Sequence, residues 1–162
     1  MVTAPTLAQR ALEISLKGRA LRFLAAREHS RSELQRKLAA HAQTPEQLVQ
    51  VLDELQAKDF ISQARVVASV VNRRQAKLGA SRIKRELLDK GVDKQAVAQA
   101  VLALQMSELE RARELWQKKF AAKSNDQPPD RTAQAKQMRF LAARGFSSDV
   151  IRRVIAWHGD DE

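Results

Sequence analysis

Residues 79–104 read GASRIKRELLDKGVDKQAVAQAVLAL, and the spacing of their apolar side chains decides the fold. Ile83 and Leu87 stand four and eight positions after Gly79, and Val97 and Val101 stand four and eight after Asp93. That interval keeps side chains on one face of a 3.6-residue helix, so the stretch predicts two short amphipathic helices. Gly91 separates them and suits the left-handed residue after a helix C-terminus, because it has no Cβ to clash. Asp93 can then cap the free N–H groups of the next helix.

The same phrase recurs 49 positions upstream, where Ser30 leads Leu34 and Leu38 and Thr44 leads Leu48 and Leu52. Downstream, Ser147 leads Ile151 and Ile155, and Leu141 to Phe146 echoes Leu87 to Val92 at a shift of 54. The hexapeptide RFLAAR also occurs twice, at 22–27 and 139–144. Two helices that repeat in register predict three tandem units, 15–61, 62–107 and 108–158, after a leader at 1–14 and before an acidic tail at 159–162. A unit of about 49 residues is too small to bury a sufficient core alone, so the units are expected to lean on one another.

Five glycines, four prolines, no tyrosine and abundant Ala, Leu, Lys, Arg, Gln and Glu favour helix almost everywhere. No stretch keeps the period-two alternation of a half-buried strand. The expected fold is therefore all-α. The strongest local objection is Val66, Val67, Val70 and Val71, which look strand-like, but the 49-residue register places them in a helix capped by Ser62. Cysteine is absent, which excludes disulfides and thiolate metal sites. No apolar run approaches the roughly 20 residues that span a bilayer, and the first residues lack a signal-peptide core, so a cytoplasmic protein with no membrane contact is expected.

The formal net charge is +10, and it is unevenly placed. Residues 1–42 carry +5 and 62–94 carry +6, whereas 43–61 carry −3 and 95–110 carry −2. Basic first and second helices thus alternate with neutral or acidic third helices. A single charged run is usually a solvated helix face. A sign pattern tied to a repeat goes further, since stacked units would gather their basic helices into one surface that attracts phosphate or an acidic protein groove.

The candidate contacts follow from that pattern. Ser30 and Glu33 have capping-box spacing, and Arg27, Arg31, Arg36 and Lys37 around them are expected to be free to face a partner. His29 precedes its cap as Val92 and Phe146 precede theirs, and is expected to be a packed turn residue. Arg73, Arg74, Lys77, Arg82, Lys84 and Arg85 form the densest basic cluster, with Lys90 beyond it. They surround the turn at Gly79, where exposed N–H groups could contact an anion. Trp116 and Trp157 lie on apolar stripes and are expected in the core or between units. Lys123 to Asp130, with two prolines, is expected to be a loop.

Catalytic groupings are missing. The histidines are His29, His41 and His158, far apart and without metal-ligand spacing. No phosphate loop, dinucleotide fingerprint, HExxH or nucleophile elbow occurs. Asp53 and Glu54 are adjacent on a helix and point apart. The expectation is a non-enzyme with no cofactor and no metal.

Three blocks in order resemble the RecX family of bacterial regulators of the RecA recombinase. They are Arg27 to Leu34 with Lys37 and Leu38; Arg82 and Ile83 with Glu86, Leu87 and Lys90 to Val92; and Arg139 to Leu141 with Arg144 to Ser147. Ser62 and Gln63 stand where the family usually has paired aspartates, and Ala80 and Ser81 where it usually has Gly-Pro. The resemblance spans about Arg19 to Trp157. It implies three three-helix repeats in an elongated, curved protein that lies in the groove of a RecA–single-stranded-DNA filament. It also implies inhibition of strand exchange, ATP hydrolysis and co-protease activity.

The residues by themselves leave alternatives open. The same cations would serve a stand-alone, sequence-tolerant DNA-binding module, with a salt dependence set by the phosphates neutralised. A helix-turn-helix transcription factor would instead need one recognition helix and usually a symmetric dimer, whereas a monomer is expected here.

Overall fold

The computed structural model describes residues 14–123 and 130–157. The leader apart from Ile14, residues 124–129 of the expected loop, His158 and the acidic tail lie outside the described residues. Nine α-helices and no strand occur among the described residues. They are α1 (Leu16–Ala26), α2 (Arg31–Leu38), α3 (Pro45–Ala57), α4 (Gln63–Arg74), α5 (Ala80–Asp89), α6 (Lys94–Met106), α7 (Glu108–Phe120), α8 (Arg131–Ala143) and α9 (Ser148–Trp157). Short 3-10 turns, Ala39–His41 and Ala121–Lys123, extend α2 and α7. The valine-rich segment is helical, as the repeat register requires.

Capping side chains set most of the starts. Ser15, Ser30, Thr44, Asp93 and Asp130 each accept a hydrogen bond from the backbone N–H three residues on, within 2.7–3.1 Å. Ser62 and Ser147 do so at 3.3 Å. Such a cap contributes about 1 kcal/mol. Pro45 opens α3 at the first turn, where its missing N–H costs nothing.

Three helices stop in the same way. Gly91 (φ 76°) and Gly145 (φ 87°) follow α5 and α8, and the next N–H reaches back to Leu87 O and Leu141 O. Asp59 (φ 62°) does the same after α3, with Phe60 N–H bonded to Leu55 O at 2.9 Å. A short polar side chain tolerates the left-handed region better than most. Asp59 is also held by Arg65, whose guanidinium bonds both its carboxylate and its carbonyl.

The chain divides into two compact units, Met1–Val66 and Val67–Glu162, with the division inside α4. In the first unit, Leu16 and Ala20 of α1, Leu34 and Leu38 of α2, and Leu48, Leu52 and Leu55 of α3 converge with Ile61. Each fully buried leucine contributes about 1.5–3 kcal/mol. Ile61 thus belongs to this core, while Phe60 beside it stays 46 % exposed.

In the second unit α5 packs on α6, and α9 on α7 and α8. Ile83 and Leu87 of α5 are fully buried, while Val97 and Leu104 supply the buried positions of α6. Ala112 and Trp116 of α7 meet Leu141, Phe146, Val150, Ile151 and Val154. Trp116 donates its indole N–H to Gln137 at 3.1 Å, so the core placement expected for it also satisfies its polar edge.

The turn before α5 docks on the turn after α8. Gly79 N–H donates to Arg144 O at 2.7 Å, and the Ser81 hydroxyl donates to Gly145 O at 2.7 Å. A Cβ on Gly79 would lie 2.3 Å from Gly145 O, so only glycine permits this approach. Ser81 therefore stitches α5 to the turn after α8.

Candidate partner-binding surface

The turn at Gly79 cannot hold an anion as expected. Its N–H is spent on Arg144 O, and the next, Ala80 N–H, donates to the buried Glu108 carboxylate at 2.9 Å. Glu108, in the first turn of α7, thus caps α5 from outside, where Gly79 has no side chain to do so. Both Gly79 and Ala80 are buried. The densest basic stretch of the sequence therefore surrounds a packed joint.

Around α2, the expectation of free cations is also corrected. Arg27 bonds Glu33 at 2.9 Å and Glu28 O at 2.7 Å, and Glu33 in turn completes the capping box with Ser30. Arg31 reaches α3, bonding Asp53 at 2.6 Å and Gln56 at 2.8 Å. Arg36 is exposed but engaged within the chain. Lys37 lies 2.9 Å from His29 Nε2 and 4.6 Å from the centre of the Phe23 ring. For Arg27 and Arg31 the physical reason is that short helices leave carboxylates and carbonyls within reach of long cationic side chains, while Lys37 is held by a buried imidazole and an aromatic ring.

His29 is 1 % exposed, the packed turn residue expected. An ammonium only donates, so Nε2 accepts from Lys37 and Nδ1–H donates to Arg27 O at 3.0 Å. That fixes a neutral tautomer. Burial, with the Arg27 and Lys37 charges adding to it, lowers the imidazole pKa below its ordinary 6.5.

Further along, Arg73 and Arg74 both approach Glu86, at 3.7 and 2.9 Å. Arg82 donates to Ala143 O at 3.1 Å and lays its stem over Gly145. Lys90 is half-buried and engaged within the chain. Lys77, Lys84 and Arg85 differ. All three are exposed, and their side chains have no hydrogen-bond or ion-pair partner among the described residues. Lys84 and Arg85 follow Ile83 on α5 and project away from the Ile83/Leu87 stripe.

Sequence reasoning missed two structural arginines. Arg65 joins Glu28, Asp59 and Phe60 O, while Arg111 donates to Gln75 O, Leu78 O and Leu104 O. Arg111 thereby gathers carbonyls after α4 and near the end of α6. Each arginine joins acceptors within seven residues, at Asp59 and Phe60 or at Leu104, to others more than 30 residues away, at Glu28 or at Gln75 and Leu78, and the distant half is invisible to a local pattern. Among the described residues, no group of three His, Asp or Glu is placed to hold a metal, and no helix is long and apolar enough to cross a membrane.

Family models for the first and third three-helix domains of RecX match residues 17–55 and 107–155. Regulatory protein RecX of Leptothrix cholodnii is 56 % identical over 144 residues, covering 88 % of each chain. Regulatory protein RecX of Herminiimonas arsenicoxydans is 45 % identical, covering 93 % of this chain and 97 % of its own. In three dimensions, the crystal structure of RecX from Lactobacillus salivarius superposes with a TM-score of 0.75 at 24 % identity, over 89 % of this chain and 94 % of that one. That likeness concerns the fold.

Proposed function

The chain belongs to the RecX family of regulatory proteins, and from that premise we propose that it binds a RecA–single-stranded-DNA filament through exposed cations and inhibits the recombinase. Inhibition extends to ATP hydrolysis and co-protease activity, and the protein acts as a cytoplasmic monomer without catalysis of its own. The repeats that carry the surface are 15–61, 62–107 and 108–158.

One observation supports the reading most. After the internal pairs are set aside, Lys77, Lys84 and Arg85 remain exposed beside or on α5, with no partner among the described residues. Cations left in water on a firmly packed helix cost little to hold in place and are available to an acidic groove or a phosphate backbone. Single-stranded DNA is a further contact that the same side chains could make, and salt separates the two. Binding through phosphates weakens steeply as counterions compete, whereas a protein groove retains affinity longer.

The test is the single-stranded-DNA-dependent ATPase of RecA at micromolar protein. The wild type should suppress it, and the K84E/R85E variant should need a concentration about tenfold higher, the loss of roughly 1.4 kcal/mol of contact. An ATPase untouched by the wild type would overturn the proposal, as would a variant that inhibits equally well.

A further inference from the structure

Between α8 and α9, Met138, Arg139, Ala142, Ser148, Ile151 and Arg152 line a groove of about 270 Å³. That is below the roughly 300–1,000 Å³ of pockets for whole small molecules, and it suits a bulky side chain or two. The floor is aliphatic. Ile151 is buried at its base, and Met138 leaves 42 % of its surface in solvent beside Ala142. Arg139 is exposed and makes no hydrogen bond or ion pair among the described residues. Arg152 has an approach of 3.7 Å to Asp149, an exposed and long pair that is readily exchanged.

The register gives Arg139 added weight. It stands 54 positions after Arg85, which stands 49 after Arg36, so one place in the repeat carries arginine three times. The floor is repeated in part, since Ala142 and Ile151 correspond to Leu88 and Val97 in the middle repeat, but the position of Met138 is Lys84 there. In the third repeat the recurrent arginine stands beside an exposed methionine instead of a second cation.

We propose that this groove docks an acidic amphipathic segment of a protein partner. One bulky apolar side chain enters the cleft, and carboxylates one helical turn to either side pair with Arg139 and Arg152. Desolvation of the apolar side chain holds the segment, and the arginines fix its sign and orientation. A nucleic-acid base fits the lining less well, because no aromatic ring is present to stack on it. The inference concerns a peptide of stated chemistry and is independent of which recombinase is regulated.

Methyl NMR of the full chain tests it, following Met138, Ala142 and Ile151. One probe is a short helical peptide with a single leucine flanked by glutamates one turn before and after. A second has lysines in place of the glutamates, and a third is oligo(dT). The glutamate peptide should shift these methyls saturably and the lysine peptide should not. R139E/R152E, both exposed positions, should bind the glutamate peptide about tenfold more weakly and reverse the preference. Equal response to both peptides, shifts with oligo(dT) alone, or no response to either peptide at millimolar concentration would each overturn the proposal. A wild type that binds the glutamate peptide yet leaves the RecA ATPase untouched would remove the filament reading and keep this one.

Discussion

Replacing Gly79 by alanine sets two effects of opposite sign against each other. Gly79 has φ −76° and ψ 168°, a conformation alanine adopts freely. Backbone entropy alone therefore favours the variant by about 0.4–1 kcal/mol. Packing reverses this. The added Cβ would lie 2.3 Å from Gly145 O, 2.4 Å from its carbonyl carbon and 2.5 Å from Phe146 N, all backbone atoms that cannot rotate aside. Relief to an ordinary contact near 3.4 Å takes about 1.1 Å of separation between the turn before α5 and the turn after α8. Such an opening carries the two 2.7 Å bonds across the joint, Gly79 to Arg144 and Ser81 to Gly145, past hydrogen-bond range. Overpacking of about 1–3 kcal/mol and two lost bonds of about 0.5–1.5 kcal/mol each outweigh the entropy. The expected net loss is about 1–5 kcal/mol. Urea denaturation followed by circular dichroism should show a lower midpoint, and amide exchange should quicken first at Gly79 and Phe146. Gly18→Ala is the control. It lies inside α1 where a Cβ meets only the side chains of Ile14 and Ser15 at 3.1 Å, and helix propensity predicts a gain of up to about 1 kcal/mol. A Gly79→Ala protein as stable as the wild type would refute the account of the joint.

Three other perturbations test separate contacts. Glu108→Ala should cost about 1–3 kcal/mol by leaving the buried Ala80 N–H without its acceptor, read as a lower urea midpoint; an unchanged midpoint would remove Glu108 as the cap of α5. Arg82→Glu should lower stability by about 1 kcal/mol through the lost Ala143 contact, whereas K84E/R85E should leave the midpoint unchanged, and equal losses would contradict the division into structural and free cations. Burial lowers the His29 pKa in the folded state, so the unfolded chain takes up its proton first. The stability this contributes is complete above pH 6.5 and declines as the pH falls through that value, because protonation sets Nε2–H against the Lys37 ammonium. His29→Leu should flatten that part of the stability profile, and an unaltered slope would show that other groups produce it.

The fold was largely legible because its signals are local. Apolar residues at four and eight positions after a cap, with glycine or aspartate at the helix ends, act over one or two turns, and their recurrence at 49 and 54 residues announced the repeats. Even the four valines of α4 yielded to that register. The cations were another matter. Arg27, Arg31, Arg74 and Arg82 look alike in the sequence to Lys77, Lys84 and Arg85, yet the first four hold carboxylates or carbonyls and the last three have no partner among the described residues. A long charged side chain reaches several ångströms, so its partner depends on which turn lies within that radius.

The amino-acid sequence by itself determined the helical class, the recurring helix phrase and the caps at Ser30, Thr44, Ser62, Asp93 and Ser147, because each cap and helix depends on residues within a few positions of one another. Only the tertiary structure decided that the Gly79 turn is a joint closed by Glu108 and Gly145, which cations remain exposed without internal partners, and that an aliphatic cleft lies beside Arg139. The joint brings together segments 28 and 64 residues apart, and the cleft and the cation pairs depend on how neighbouring helices and turns pack, which no local pattern encodes.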